Sequence, residues 1–273
     1  MFNMSWVEKI IDSKVVKSLY QPPVGSHKGQ NGVVLIIGGS EKFHGAPIFA
    51  AKVASKIVDL VYFSSVPENN ELIKNMKSKL CDFIAVPRSK VFEAAEKADA
   101  VLLGPGLGVS EETKQLTNDL LKKFPTKKFI LDADAFADLD KNLLGKKCVV
   151  TPHKEEFREL FGIEASRQAV FEMAKKYGCV VVLKGVEDYV SDGEELRVNT
   201  TGNAGMTKGG TGDVLAGLIA ALATKNDLFL AACAGVFING SAGDRLKERV
   251  SYYFNASDLI EEIPRTIKQI VES

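Results

Sequence analysis

The sequence predicts an α/β fold: a three-layer sandwich with a mostly parallel central sheet and helices on both faces. Three observations carry that expectation. Short continuous apolar runs recur, among them Val33-Val34-Leu35-Ile36-Ile37, Ala100-Val101-Leu102-Leu103 and Cys179-Val180-Val181-Val182-Leu183, and strands buried on both faces read this way. Segments of helical spacing separate them, which is the rhythm of βαβ units. Late in the chain the rhythm breaks. Asp188-Tyr189-Val190-Ser191 and Glu195-Leu196-Arg197-Val198 flank Asp192-Gly193, a turn signal that predicts an antiparallel hairpin at one sheet edge.

Taken in order, residues 1–20 carry apolar positions at helical spacing (Trp6, Ile10, Ile11, Val15, Leu19), and Gln21-Pro22-Pro23 ends that helix. The first strand, 33–37, closes in Gly38-Gly39-Ser40. A helix from Ala46 to Asp59 leads to the strand Leu60–Phe63, a polar helix near 67–79 to Phe83–Val86, and a helix over 89–97 to Ala100–Leu103. Gly104-Pro105-Gly106-Leu107-Gly108 follows, then a helix from about 110 to 123. Phe129-Ile130-Leu131 ends in Asp132-Ala133-Asp134, and Cys148-Val149-Val150 in Thr151-Pro152-His153. Two helical stretches reach Tyr177, the strand 179–183 ends in Lys184-Gly185, and after the hairpin come three helices. With no repeat, low-complexity segment or linker, residues 1–273 read as one domain, with 1–24 a helical extension.

Composition excludes several classes. Lys+Arg and Asp+Glu balance at 35 each, which argues against nucleic acid or an anionic membrane as the main partner. No apolar run approaches the length of a membrane span, and the N-terminus lacks the pattern of a signal peptide. Cysteines 81, 148, 179 and 233 are scattered beside apolar residues, as buried thiols of a reducing compartment are, so a cytoplasmic protein is expected. Three histidines without ligand spacing argue against a zinc site.

Chemistry concentrates in Gly202-Asn203-Ala204-Gly205-Met206-Thr207-Lys208-Gly209-Gly210-Thr211-Gly212-Asp213, which holds five glycines and runs into an apolar helix. Glycines that admit a close ligand, followed by the unpaired N–H groups of a helix N-terminus, make an anion site. Asp213 reads in two ways: as an acid that complements the helix dipole, or as a base aimed at a hydroxyl near a transferring phosphate. The other polar motifs fall after strands, where ligands bind in open α/β sheets. Gly104–Gly108 is no dinucleotide fingerprint, since Val109 stands where glycine is needed, and there is no Walker-type phosphate loop. Thr151-Pro152-His153-Lys154-Glu155-Glu156 is either a helix start capped by Thr151 or a site for His153 on a polar substrate group. Asp132 and Asp134 read as water-mediated Mg²⁺ ligands or as turn and cap residues. Lys184 needs a partner if buried.

In their order, these motifs resemble the ADP/ATP-dependent NAD(P)H-hydrate dehydratase family of the ribokinase-like superfamily. The landmarks are His27-Lys28-Gly29, Gly45-Ala46-Pro47, Gly104–Gly108, Leu131-Asp132-Ala133-Asp134-Ala135, Thr151-Pro152-His153 with Glu156-Phe157, Leu183-Lys184-Gly185, and Asn203–Gly217. The likeness runs from about residue 25 to the C-terminus. It implies repair of hydrated NADH or NADPH (NADHX, NADPHX) to the reduced cofactor at the expense of ADP or ATP with Mg²⁺: phosphorylation of the ring hydroxyl turns a poor leaving group into a good one.

By the same resemblance, Ala46, Gly106, His153 and Asp213 contact the hydrated cofactor, and Asp213 takes the hydroxyl proton. Lys184, Gly185, Val186, Glu187 and Asp188, with Gly212, hold the adenine nucleotide. N–H groups of Gly210, Thr211 and Gly212 stabilise the transferring phosphoryl group, with Lys208 placed to help. A homo-oligomer, a tetramer, is also implied. The chain departs from the family where Asp188 replaces a threonine and Asn239 a histidine. Many relatives carry an N-terminal epimerase domain, which residues 1–24 are too short to form, so action on the S epimer alone is expected. The competing expectations are a ribokinase-like kinase of a vitamin precursor or small alcohol, which would leave a stable phosphorylated product, and a nucleotide sensor without turnover.

Overall fold

A computed structural model describes residues 8–76 and 81–273. Its elements are β1 (Glu8–Ile10), α1 (Lys14–Lys17), β2 (Val33–Ile37), α2 (Gly45–Ala54), β3 (Leu60–Ser64), α3 (Pro67–Met76), β4 (Ile84–Ala85), α4 (Val91–Lys97), β5 (Ala100–Leu103), α5 (Glu111–Lys123), β6 (Lys128–Leu131) and β7 (Cys148–Val150). There follow α6 (Lys154–Phe161), α7 (Arg167–Tyr177), β8 (Val180–Leu183), β9 (Asp188–Ser191), β10 (Leu196–Asn199), α8 (Thr211–Ala223), α9 (Leu228–Val250) and α10 (Ala256–Glu272). All ten strands form one sheet in the order β1-β10-β9-β8-β7-β6-β5-β2-β3-β4, antiparallel at β8–β9 and β9–β10 and parallel elsewhere.

Alternation along each strand explains why the apolar runs are unbroken. Val34 and Ile36 enter the core beneath α2, α8, α9 and α10, whereas Leu35 and Ile37 enter the core beneath α4, α5, α6 and α7. Ala100 and Leu102 divide from Val101 and Leu103 in the same way. No helix among the described residues is long and apolar enough to cross a membrane.

Three expectations need correction. The helix over residues 1–20 is replaced by the strand Glu8–Ile10 and the four-residue helix α1, while Trp6 lies outside the described residues. The open edge of β10 supplies backbone partners, with Glu8 opposite Leu196 and Ile10 opposite Val198, and this pairing outweighs helical spacing. The hairpin β9–β10 is consequently one strand in from the edge, which β1 occupies. Cys81 is exposed, while Cys148, Cys179 and Cys233 are buried as expected. The last residues of the helix expected near 67–79 lie outside the described residues.

Close packing fixes the helices that frame the carboxyl end of the sheet. A Cβ built on Gly217 of α8 would stand 2.6 Å from the Cα and the carbonyl oxygen of Ala50 in α2, so these helices meet backbone to backbone. Elsewhere Glu262 of α10, 1% exposed, accepts from Arg245 Nε at 2.9 Å and Arg249 Nη1 at 2.7 Å, and so clamps α10 to α9. Its arginine partners are partly solvated, which screens the pairs. Glu262→Ala should therefore lower stability by about 1–3 kcal/mol. Urea unfolding reads this, and an unchanged midpoint would reduce the clamp to a surface ion pair.

Candidate active site

The predicted polar motifs follow β2, β5, β6, β7 and β8 at their carboxyl ends and meet there. The loops after β2 and β5 interlock. Gly39 N–H donates to the Pro105 carbonyl at 2.8 Å, and a Cβ on Gly38 would lie 2.4 Å from that same oxygen. Gly106 has φ +63°, and a Cβ there would reach Phe43 Cβ at 2.8 Å and Ala46 Cβ at 3.2 Å. Gly106 and Ala46 therefore share one wall.

Thr151-Pro152-His153 begins α6, but the cap is His153 rather than Thr151. Its Nδ1 accepts the Glu156 N–H at 3.2 Å, and Glu156 Oε2 accepts the His153 N–H at 2.7 Å, a reciprocal capping box. Because Nδ1 accepts, the neutral ring carries its proton on Nε2, 3.4 Å from Glu156 Oε1. Thr151 is buried and turned the other way: its Oγ1 donates to Asp132 Oδ1 at 2.7 Å. Asp134 accepts the Gly108 N–H at 2.8 Å.

Lys184 comes off β8 into the middle of these groups, with its backbone N–H on the Pro152 carbonyl at 2.9 Å. Its ammonium lies 2.8 Å from Asp132 Oδ1 and 3.7 Å from Glu156 Oε2. Burial works against the charge, but the facing carboxylates Asp132 and Glu156 outweigh it and hold Lys184 more firmly protonated than a free lysine. The next residues bend sharply. Asp188 is turned onto its own loop, accepting from Gly185 N–H at 3.1 Å and from Asn199 Nδ2 at 2.9 Å, and burial raises its pKa. An acid at this position therefore braces the turn. Glu187 accepts from Arg167 at 2.9 Å and from the Tyr189 hydroxyl at 2.7 Å, and Val186 is fully exposed at the tip.

The glycine loop enters α8 through Gly210, at φ +96°, whose missing side chain leaves room for the Phe49 ring. Thr211 N–H already donates to the Lys208 carbonyl at 3.3 Å. Gly212 and Asp213 N–H, in the same first turn, have no backbone acceptor among the described residues and are the open donors. Lys208 does not join them, since its ammonium donates to the Tyr252 carbonyl and lies 5.1 Å from the Phe254 ring. Burial raises the Asp213 pKa to about 7, aided by the negative charges of Asp132, Asp134 and Glu156 and opposed by Lys184. Such a carboxyl can take up and release a proton near neutral pH.

Comparison with known proteins shows the family. The sequence model described as NAD(P)H-hydrate dehydratase matches residues 34–265, most of the chain. The chain belongs to the NAD(P)H-hydrate dehydratase family. It is 43% identical over 268 residues to the bifunctional NAD(P)H-hydrate repair enzyme Nnr of Methanocaldococcus jannaschii, covering 96% of this chain and 53% of that protein. To the ADP-dependent (S)-NAD(P)H-hydrate dehydratase of Nitrosopumilus maritimus it is 36% identical, covering 96% and 94%. The chain thus spans about half the length of several curated relatives it matches. Among solved structures, a ribokinase-like superfamily protein from Enterococcus faecalis superposes with TM-score 0.88 at 24% identity over 97% of both chains. The ADP/ATP-dependent NAD(P)H-hydrate dehydratase from Bacillus subtilis, co-crystallised with ATP and Mg²⁺, does so with TM-score 0.83 at 24% identity, covering 98% and 99%. At that identity the structures speak to fold, which is ribokinase-like.

Not every family landmark sits at this end of the sheet. His27-Lys28-Gly29 precedes β2 at the opposite end, where Gly29 and Asn31 N–H groups donate to Asp59 Oδ2 at 2.8 and 3.0 Å. A cleft of about 750 Å³ also opens there, lined in part by Lys122, Lys128, Lys147 and Leu228, and contains none of the grouped residues. The sequence reading missed Thr151 as the anchor of Asp132 and Glu156 as a neighbour of Lys184. The three-residue spacing from His153 to Glu156 was the available signal.

Proposed function

We propose that this chain dehydrates the S epimer of hydrated NADH or NADPH back to the reduced cofactor, using ADP or ATP. The observation that carries the reading is the first turn of α8, where open N–H donors and a half-buried base adjoin in a member of this family. The hydrated ring lies against Ala46, Gly106 and His153, and the nucleotide lies along Lys184 to Asp188 and Gly212. Asp213 accepts the proton of the ring hydroxyl as its oxygen bonds to the terminal phosphorus, and the bridging oxygen leaves with its electron pair. A loose transition state asks little of the base and much of positioning. N–H groups of Gly210, Gly212 and Asp213 face the charge of the moving phosphoryl group, with Thr211 holding the loop in place. The ring nitrogen then expels phosphate, and loss of a proton from the adjacent carbon restores the dihydropyridine.

Mg²⁺ ordinarily accompanies such phosphates. Among the described residues no three His, Cys, Asp or Glu side chains stand together as a metal cage, and Asp132 and Asp134 are engaged elsewhere. The residues present do not form a dedicated site, so the ion is proposed as a companion of the nucleotide and no step passes through it. A cytoplasmic homo-oligomer is the proposed setting.

Incubation with hydrated NADH, Mg²⁺ and ADP or ATP should restore reduced-nicotinamide absorbance and release phosphate. No recovery with either nucleotide would sink the reading, and a stable phosphorylated product would favour a kinase. His153→Ala should raise KM for the hydrated cofactor about tenfold, the worth of one hydrogen bond, and leave nucleotide KM unchanged. The reverse pattern would exchange the two pockets.

A further inference from the structure

Asp132 directly follows β6 with its side chain 3% exposed, and one oxygen, Oδ1, takes both the Thr151 hydroxyl at 2.7 Å and the Lys184 ammonium at 2.8 Å. The lysine is itself 19% exposed and fixed at its backbone by Pro152. A Cβ built on Gly212 would lie 3.7 Å from Lys184 Nζ, which puts the ammonium against the first turn of α8, one residue from Asp213. Stability alone is a poor reason for this arrangement, because burying two charges consumes most of what their attraction returns. Position is the better reason. Without Asp132, the anions left within reach of the ammonium are Glu156 and Asp213.

We propose that Asp132 is a positioning residue for the reaction: with Thr151 it anchors the Lys184 ammonium beside the phosphoryl-transfer position and off Asp213, leaving that carboxylate able to accept a proton. This rests on the dehydratase reading above. One buried cation is thereby kept for the nucleotide's phosphates without neutralising the base.

The charged groups facing Asp213 are Asp132 and Asp134 from the loop after β6, Glu156 from α6, and Lys184 from the end of β8. Asp134 is tied to Gly108 N–H and Glu156 to the cap of α6, so the Asp132–Lys184 pair is the part whose charges can be altered singly. Asp132→Asn keeps the shape, removes an anion facing Asp213 and releases the lysine toward it. Both changes favour the ionised base. Lys184→Met keeps the stem and removes the cation, which has the opposite sign.

The test is the pH profile of kcat/KM for hydrated NADH at saturating nucleotide. The acid limb should move down by about one pH unit in Asp132→Asn and up in Lys184→Met. An acid limb that stays in place in Asp132→Asn, with activity merely scaled down at every pH, would overturn the proposal and leave Asp132 a structural acid. Carbon-13 NMR titration of the Asp213 carboxyl in the same full-length variants gives a readout independent of turnover. If the wild-type chain shows no dehydratase activity, the reaction reading fails, while opposite shifts of that titration in the two variants would still support the arrangement of charges. An unmoved titration overturns it. Should Asp132→Asn fail to fold, Lys184→Met alone decides, and a limb and titration that do not rise would refute it.

Discussion

Asp213→Asn is expected to lower kcat by about 10²-fold or more while the chain folds normally, because the amide keeps the shape of the carboxylate and cannot accept the hydroxyl proton. The same substitution should make the protein more stable at alkaline pH, and the sign follows from proton linkage. Asp213 holds its proton up to about pH 7 in the folded chain, whereas an unfolded aspartate has lost it near its ordinary value of 3.8. The folded state therefore favours the neutral group. Its advantage is full below the unfolded pKa and disappears as pH rises through the folded one. Above pH 7 the native chain carries a buried charge that asparagine does not. Thermal melts at pH 5 and pH 8, combined with steady-state rates, check both halves. Near-normal turnover would return Asp213 to the role of an acid that complements the helix dipole. A melting temperature unchanged or lowered at pH 8 would contradict the burial that gives this carboxyl its basicity. Lost activity with gained stability is the signature expected where a site is strained for its task.

Gly104→Ala is expected to be the most damaging single methyl that can be added near the site. Gly104 has φ +125°, outside the conformations open to an L side chain, and its Cβ would fall 1.6 Å from the carbonyl oxygen of Asp132. Neither obstacle yields, because the clash is with backbone at the end of a buried strand whose N–H groups are already engaged. Gly104 N–H donates to Ile37 at 3.1 Å and Asp132 N–H to Leu103 at 3.0 Å. Conformational strain and overpacking together set a loss of roughly 3–5 kcal/mol. That fraction of a typical domain's stability would appear as poor soluble yield or a large fall in the urea midpoint. The variant that does fold should also bind both ligands weakly, since moving Asp132 moves Lys184. A midpoint within error of the wild type would show that the two loops are looser than their contacts indicate.

The strands were legible because a chain buried on both faces has little choice of residue: runs such as Val34–Ile37 and Val180–Leu183 announced themselves. The glycine loop was legible for a related reason, since an anion site at a helix N-terminus demands small residues in a row. Less legible was anything settled by a distant partner. Glu8–Ile10 has helical spacing, and the open edge of β10 made it a strand. Thr151 looked like a cap because threonine caps helices. Its hydroxyl instead found Asp132, 19 positions earlier, and left the cap to His153. Lys208 stood among phosphate-binding glycines, and the turn between α9 and α10, invisible in local sequence, drew it away. Asp188 looked out of place beside a nucleotide until Asn199 and the Gly185 N–H supplied its reason. Local chemistry was readable wherever the backbone imposed it, and unreadable wherever a side chain had two neighbours to choose between.

The meeting of α2 and α8 at Gly217 and Ala50 sets a dimension as well as a contact. Ala46 lies in the first turn of α2 and Asp213 in the first turn of α8, so the proposed wall and the proposed base for the same hydrated ring ride on two rods touching at bare backbone. The hydrogen at residue 217 is a spacer of minimum thickness, and any larger group there would part the rods. Reacting atoms tolerate displacements of well under about 1 Å. The reach of the proposed base across the hydrated ring is thus gauged one full turn inside the protein, beyond the lining of the proposed site. A lineage that came to accept a bulkier or slimmer ring could do so by altering that thickness, with every residue lining the pocket left as it was.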